Sequence, residues 1–163
     1  MKPAKGHTLT EAVLTVAIVA ILSSVAVPLL LTMTNFWRLT QARNVIQRDV
    51  RASLDMINRF TRQAKRGTIV LDRATGTQVP YSRITFTTVQ GQTVSFWQNN
   101  NKLYMKQDDN VSVLSQSIAF LSFTFPRTDD TSLVSVAITA RSPTYLGGWK
   151  ALQLSIQEVR IMD

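Results

Sequence analysis

The residues of this chain that could do chemistry are few, and the most informative is an acid near the start. Glu11 precedes a stretch, residues 12–37, that carries no charge. A carboxylate at the edge of an apolar segment is costly unless a cation or a hydrogen-bond donor meets it. Thr8-Leu9-Thr10-Glu11 fits a capping box, in which Glu11 bonds back to a free backbone N–H. Alternatively, proteolysis after Gly6 would free an ammonium at His7, with which a carboxylate on a neighbouring helix could pair.

Candidates for catalysis or metal binding are sparse elsewhere. The chain has no cysteine, which excludes thiol nucleophiles, disulfides and zinc-thiolate sites, and His7 is its only histidine, so no Ser-His-Asp triad can form beyond it. Asp108-Asp109-Asn110 and Asp129-Asp130 offer oxygen ligands but lack the spacing of a calcium loop, and they are more typical of turns. We therefore predict no enzyme, no metal and no cofactor.

The uncharged stretch is long enough to cross a bilayer as one helix. Its apolar part, residues 12–33, would span roughly 33 Å. Two other interpretations stay open. One is a removed signal peptide, with Ser24-Val25-Ala26 as the cleavage site, although its apolar core would be unusually long. The other is a plain membrane anchor in which Glu11 is only a cap.

These residues also carry a resemblance to a known family. Gly6, Thr8, Leu9, Glu11, the following Ala/Val/Ile/Leu run and Pro28 resemble the start of a type IV prepilin over about thirty residues. This chain has His7 where the family usually has phenylalanine or another apolar residue. The resemblance implies that prepilin peptidase cuts after Gly6, that the new terminus at His7 is N-methylated, and that Glu11 sets the register of assembly.

Pro28 lies inside the apolar stretch and removes one helical hydrogen bond. A kink or a locally melted stretch is therefore expected near Ser24, where Ser23 and Ser24 could bond the freed carbonyls. The resemblance to pilins implies that this stretch unwinds when a subunit leaves the bilayer for a filament.

A basic amphipathic helix is expected to continue the span over residues 36–66, before Gly67. Apolar residues recur at steps of three, four or seven from Leu39 to Ala64, which is one helix face. The opposite face bears five arginines: Arg48, Arg51, Arg59, Arg62 and Arg66. Asp55 could bridge Arg51 and Arg59. The arginine face could be merely solvated, could attract anionic lipid, or could bind nucleic acid, although no aromatic residue interleaves on it for base stacking.

Membrane orientation has two conflicting indications. More Arg residues follow the span than Lys residues precede it, which by the positive-inside rule would place the carboxy-terminal part in the cytoplasm. The prepilin resemblance implies the reverse: a single-pass protein of the inner membrane, with the leader inside and the head on the periplasmic or extracellular side.

After Gly67, apolar and polar residues alternate instead of recurring with the period of a helix. Eight short segments rich in Val, Ile, Thr, Phe and Tyr predict antiparallel strands, with turns at Gln90-Gly91 and Asn99-Asn100-Asn101. Alternating apolar residues at 133–140 and 152–156 suggest a buried sheet face that covers the helix. The strand ending Phe123-Thr124-Phe125-Pro126 and the closing strand loosely resemble minor pseudopilins of the J or W type.

We therefore expect an α+β chain in which the second half of a long amino-terminal helix packs on an antiparallel head. The parts would be a leader (1–6), a transmembrane and filament-core helix (7–35), an amphipathic stalk helix (36–66) and a β-rich head (67–163).

The expected function is that of a minor pilin or minor pseudopilin of a type IV pilus or type II secretion pseudopilus. Its partners would be prepilin peptidase, other pilins or pseudopilins, an inner-membrane assembly platform and, before assembly, the lipid bilayer. A DNA-binding, competence-type pseudopilin is the alternative, and a singly anchored periplasmic enzyme is disfavoured.

Overall fold

The structure is a computed structural model that describes residues 8–143 and 149–161, without the side chains of 143 and 149–153. The chain divides into two compact units, residues 1–40 and 41–163. The described residues form one long α-helix followed by eight antiparallel strands, and the carboxy-terminal part of the helix packs on the sheets. The α+β class expected from the sequence is thus confirmed.

Helix α1 runs Leu9–Thr61 and is helical at every residue, including Pro28. Thr8 precedes it, and the Thr8 carbonyl accepts the backbone N–H groups of Glu11 at 3.0 Å and Ala12 at 3.2 Å. Thr8 is therefore the N-cap, the position where Thr and Ser are favoured. No locally melted stretch occurs near Ser24, whose hydroxyl donates to the Ile21 carbonyl over 2.7 Å.

In the second unit, α1 buries the face that the apolar spacing predicts. Ile46, Val50 and Ile57 are almost completely buried, and Leu54 joins them. Three polar side chains, Ser53, Asn58 and Thr61, are also buried on this part of the helix. The apolar residues belong to one core cluster that includes residues of both sheets, so burial of this stripe stabilises the head.

The helix ends five residues earlier than the sequence suggested, at Thr61 instead of Arg66. The backbone N–H of Lys65 bonds to the Thr87 carbonyl, and that of Val89 bonds to the Gln63 carbonyl, each over 2.8 Å. Ala64 forms an isolated antiparallel bridge with Thr88. Pairing with residues 87–89 thus replaces the last helical turn. Gly67 follows with φ +77°, a left-handed conformation that favours glycine.

Five strands form the first sheet in the order β1-β2-β3-β4-β5. Their bounds are β1 Val70–Asp72, β2 Arg83–Thr87, β3 Thr93–Asn99, β4 Lys102–Gln107 and β5 Asn110–Ser115. Each strand pairs with the next in antiparallel register. The buried side chains alternate along β2 and β3, with Ile84, Phe86, Val94 and Phe96 facing the core.

The turns of this sheet fall where the sequence places Gly and Asn. Gly91 connects β2 to β3 with φ +86°, and Asn100 connects β3 to β4 with φ +53°. Asp108, between β4 and β5, also has a positive φ of 52° and accepts the Thr93 backbone N–H on its carboxylate over 2.9 Å. This third turn lies where the sequence places Asp108-Asp109-Asn110, and Asp tolerates this conformation.

Three strands form a second sheet in the order β6-β7-β8: β6 Ile118–Thr124, β7 Leu133–Pro143 and β8 Trp149–Arg160. Val134, Val136, Ile138 and Ala140 of β7 face the core, as the alternation predicts. The sequence did not reveal that the strands divide between two sheets.

The prediction of which side chains of the last strand are buried is wrong. Leu154 and Ile156 are 61% and 64% exposed, whereas Val159 and Ile161 are buried. The register explains this phase, because Val159 lies opposite the buried Val134, and Ile156 lies opposite Ala137 on the outer face. Ser155 and Gln157 therefore share the inner face with Val159, and β8 directs polar side chains inward.

Candidate functional site

Two of the sequence-predicted site residues, Gly6 and His7, lie outside the described residues. Cleavage after Gly6 and methylation at His7 therefore stay predictions that rest on the sequence alone.

Glu11 lies in the first turn of α1 and is the acidic residue of that turn. Its side chain is exposed. The Thr8 hydroxyl, which a capping box would direct to the helix backbone, forms a hydrogen bond with the Thr10 hydroxyl over 3.1 Å. A carboxylate at this end of a helix is favourable because it faces the positive end of the helix dipole.

The apolar half of α1 exposes its side chains along its length. From Leu9 to Trp37 every described residue is exposed, including sixteen large hydrophobic ones: Leu9, Val13, Leu14, Val16, Ile18, Val19, Ile21, Leu22, Val25, Val27, Leu29, Leu30, Leu31, Met33, Phe36 and Trp37. This is far more apolar surface than a soluble protein normally leaves uncovered. The helix is long and apolar enough to be a candidate membrane span, a test that a signal sequence near the amino terminus also passes.

Hydroxyl groups in this half of the helix bond to its own backbone. Thr15 donates to Ala12, Thr32 to Pro28 and Thr34 to Leu30, over distances of 2.8 to 2.9 Å between hydroxyl and carbonyl oxygens. Hydrocarbon offers no hydrogen-bond partners, so polar groups there must be satisfied within the protein. These hydroxyls are therefore compatible with an apolar environment around α1.

The five arginines of the predicted basic face are all exposed. Arg48, Arg51 and Arg59 lie on α1, and Arg62 and Arg66 lie in the turn that follows it. The expected bridges through Asp55 do not form. Within residues 8–143 and 149–161, Asp55 has no ion pair with Arg51 or Arg59.

The structure brings two of these arginines together at one cleft. Arg59 and Arg62 line it with Asp55, Asn58 and Gln63 of the helix region, Val89 of the β2–β3 turn and Gln157 of β8. Arg48 and Arg51 are not among its lining residues. Sequence spacing placed all five arginines on one face, but only the packing of β8 and the turn against the helix shows which of them share a concave surface.

The acidic residues considered as calcium ligands form hydrogen bonds within turns. Asp130 accepts the Ser132 backbone N–H over 2.8 Å, and hydrogen bonds from Ser132 hold the pKa of Asp130 below its ordinary value. Asp108 accepts the Thr93 N–H. In the part of the chain that the structure describes, no three His, Cys, Asp or Glu residues are grouped to hold a metal.

Sequence reasoning missed an ion pair between β1 and β2. The Arg83 guanidinium donates to both carboxylate oxygens of Asp72, with Nε–Oδ1 at 2.5 Å. The register places these residues directly opposite each other. Hydrogen bonding to Arg83 lowers the pKa of Asp72, and the reciprocal bond raises that of Arg83. Only the strand pairing could reveal this contact, because the two residues are eleven positions apart in sequence.

No family model matches the chain, and no characterised protein matches it significantly.

Proposed function

We propose that this protein is a filament subunit, a minor pilin or minor pseudopilin that is held in the inner membrane as a precursor and then assembled into a type IV pilus or a type II secretion pseudopilus. The observation that supports this most is Glu11, the acid in the first turn of a helix whose next two dozen residues are exposed and uncharged.

Physical chemistry connects that arrangement to assembly. Apolar helices that leave the bilayer must exchange lipid for other apolar surface, and neighbouring copies of the same kind of helix supply it. In that bundle the Glu11 carboxylate needs a cation, because an unpaired charge in low dielectric is costly. Cleavage after Gly6 would create such a cation at the amino terminus of each neighbour. The charge pair would then select one register among many equally apolar ones.

The other parts of the proposal follow from the prepilin resemblance. Prepilin peptidase would remove residues 1–6, N-methylation would modify His7, and the head would lie on the periplasmic or extracellular side. Pro28 would be the place where the helix bends or unwinds on leaving the membrane. The antiparallel head on a long amino-terminal helix is compatible with this architecture, and the work of the protein would be assembly instead of catalysis.

The intact mass of the protein from its native host tests the proposal. We expect a mass that lacks residues 1–6 and includes one added methyl group. A Gly6→Val variant is the matched control, and it should keep the full mass because the peptidase would no longer cut it. Recovery of unprocessed wild-type protein from assembled fibres would contradict the proposal.

A further inference from the structure

The cleft beside the carboxy-terminal end of α1 has the size of a binding site. Its volume is about 620 Å³, within the range of ligand pockets in proteins. Its lining comes from three segments: the helix and the turn after it, the β2–β3 turn at Val89, and β8 at Gln157.

The charged side chains of the cleft have no partner among the residues that the structure describes. Arg59 and Arg62 are exposed, and neither guanidinium makes a hydrogen bond or ion pair with another residue that the structure describes. The same is true of Asp55, so the cleft presents two guanidinium groups and one carboxylate. A guanidinium can bind a carboxylate through two parallel N–H···O bonds. The cleft is therefore suited to an anionic ligand.

A buried amide indicates a second property of the ligand, a hydrogen-bond donor. Asn58 is only 8% exposed and lines the cleft, yet its Oδ1 has no hydrogen-bond partner within the described residues. Buried oxygens of this kind are nearly always bonded, since an unsatisfied acceptor destabilises the fold. The Oδ1 atom has almost no exposed area, so a ligand N–H can reach it and remove the penalty only when the amide turns toward the cleft. Gln63 and Gln157 each offer a further donor and acceptor.

The neighbouring strand indicates the shape of the ligand. β8 is the last strand of its sheet, so one of its edges is paired with β7 and no other described strand pairs with it. Open strand edges are common docking sites for extended peptides, whose backbone supplies N–H and C=O groups in alternation.

We propose that this cleft binds an extended acidic peptide segment of a partner protein. Carboxylates of the segment pair with Arg59 and Arg62, and one of its backbone N–H groups donates to Oδ1 of Asn58. The proposal does not depend on the filament role.

Nucleic acid fits the same cleft less well. None of its lining residues is aromatic, so bases have nothing to stack on. Binding of nucleic acid is therefore the competing outcome of the test.

The experiment uses the full chain in an uncharged detergent. The probe is a fluorescein-labelled peptide of sequence Thr-Glu-Val-Glu-Thr, blocked at both ends. The control peptide has Gln in place of each Glu. Fluorescence anisotropy should show about ten-fold tighter binding of the Glu peptide. An Arg59→Gln/Arg62→Gln double variant should lose about ten-fold in affinity for it.

The control variant is Arg48→Gln/Arg51→Gln, which removes the same amount of charge from part of α1 outside the cleft. It should change the Kd less than about two-fold, because exposed charges at a distance are screened by salt. Equal losses in both double variants, or no binding of the Glu peptide to the wild type, would overturn the proposal. Tighter binding of duplex DNA that displaces the peptide would overturn it in favour of nucleic acid.

Discussion

Val159 of β8 lies directly opposite Val134 of β7, and both side chains are buried against the helix-covered core. This pair determines which side chains of β8 face the core, because side chains alternate between the two faces of a sheet. Leu154 consequently lies on the outer face, five residues before Val159, despite being the more apolar of the two.

Val159 is therefore expected to matter more for stability than Leu154. Val159→Thr keeps the shape of the side chain but buries a hydroxyl, which should lower the free energy of unfolding by about 1–3 kcal/mol. Leu154→Thr should change it by no more than about 0.5 kcal/mol. Urea unfolding of the two variants, followed by tryptophan fluorescence, measures the difference. A larger loss for Leu154→Thr would mean that β8 has the opposite phase.

Replacement of Gly67 by alanine is expected to destabilise the fold because of its backbone conformation and not because of a steric clash. Its φ of +77° is unfavourable for other residues, although no atom lies within 4 Å of where a Cβ would stand. Gly67→Ala should destabilise the fold by about 1–2 kcal/mol.

The matched control is Gly76→Ala. Gly76 also has open space around its Cβ position and does not adopt a positive φ of this kind. Its substitution should be neutral or stabilise the fold by up to about 1 kcal/mol, since alanine restricts the unfolded chain. Thermal unfolding of both variants checks the pair, and equal destabilisation would argue against the conformation of Gly67.

The Asp72–Arg83 pair should make a pH-dependent contribution to stability. Because bonding to Arg83 lowers the pKa of Asp72 in the folded state, the contribution is fully present above the ordinary pKa of about 3.9 and is lost as pH falls through the lower folded-state value. Both side chains are more than one third exposed, so the pair should contribute only about 0.2–1 kcal/mol.

Urea unfolding of the wild type and Asp72→Asn at pH 7, 4 and 2 measures this contribution. The difference between them should be present at pH 7 and should shrink toward zero at pH 2. Asp109→Asn, which removes an exposed carboxylate without a described partner, is the control. A difference that grows in acid would contradict the assigned direction.

Glu11 should be required for assembly but not for processing, if the proposed function is correct. Glu11→Gln keeps the size and hydrogen-bonding capacity of the side chain and removes its charge. We expect normal loss of residues 1–6 but at least about a ten-fold decrease in incorporation into fibres, as expected for loss of a desolvated ion pair.

Thr8→Ala separates this role from helix capping. It removes the hydroxyl of the N-cap residue, which bonds to the Thr10 hydroxyl, and leaves the Glu11 charge. Quantitative immunoblotting of sheared fibres against membranes measures both variants. If Thr8→Ala reduces incorporation as much as Glu11→Gln, the carboxylate acts through the cap instead of through a neighbouring subunit.

The sequence alone was sufficient to predict the α+β class, the buried stripe at Ile46, Val50 and Ile57, and the approximate position of each strand. These features depend on local periodicity and on turn residues such as Gly91 and Asn100, whose conformational preferences act over a few residues. It also identified Glu11 as the unusual acid, because a charge beside an uncharged stretch is visible in one dimension.

Only the tertiary structure decided the features that depend on pairing between distant segments. The early end of α1 at Thr61 results from hydrogen bonds with residues 87–89, and the contact of Asp72 with Arg83 results from the β1–β2 register. The inward-facing polar side chains of β8 and the choice of Arg59 and Arg62 for one cleft have the same origin. Burial, register and concavity arise when segments far apart in the chain pack together, and local sequence preferences do not contain that information.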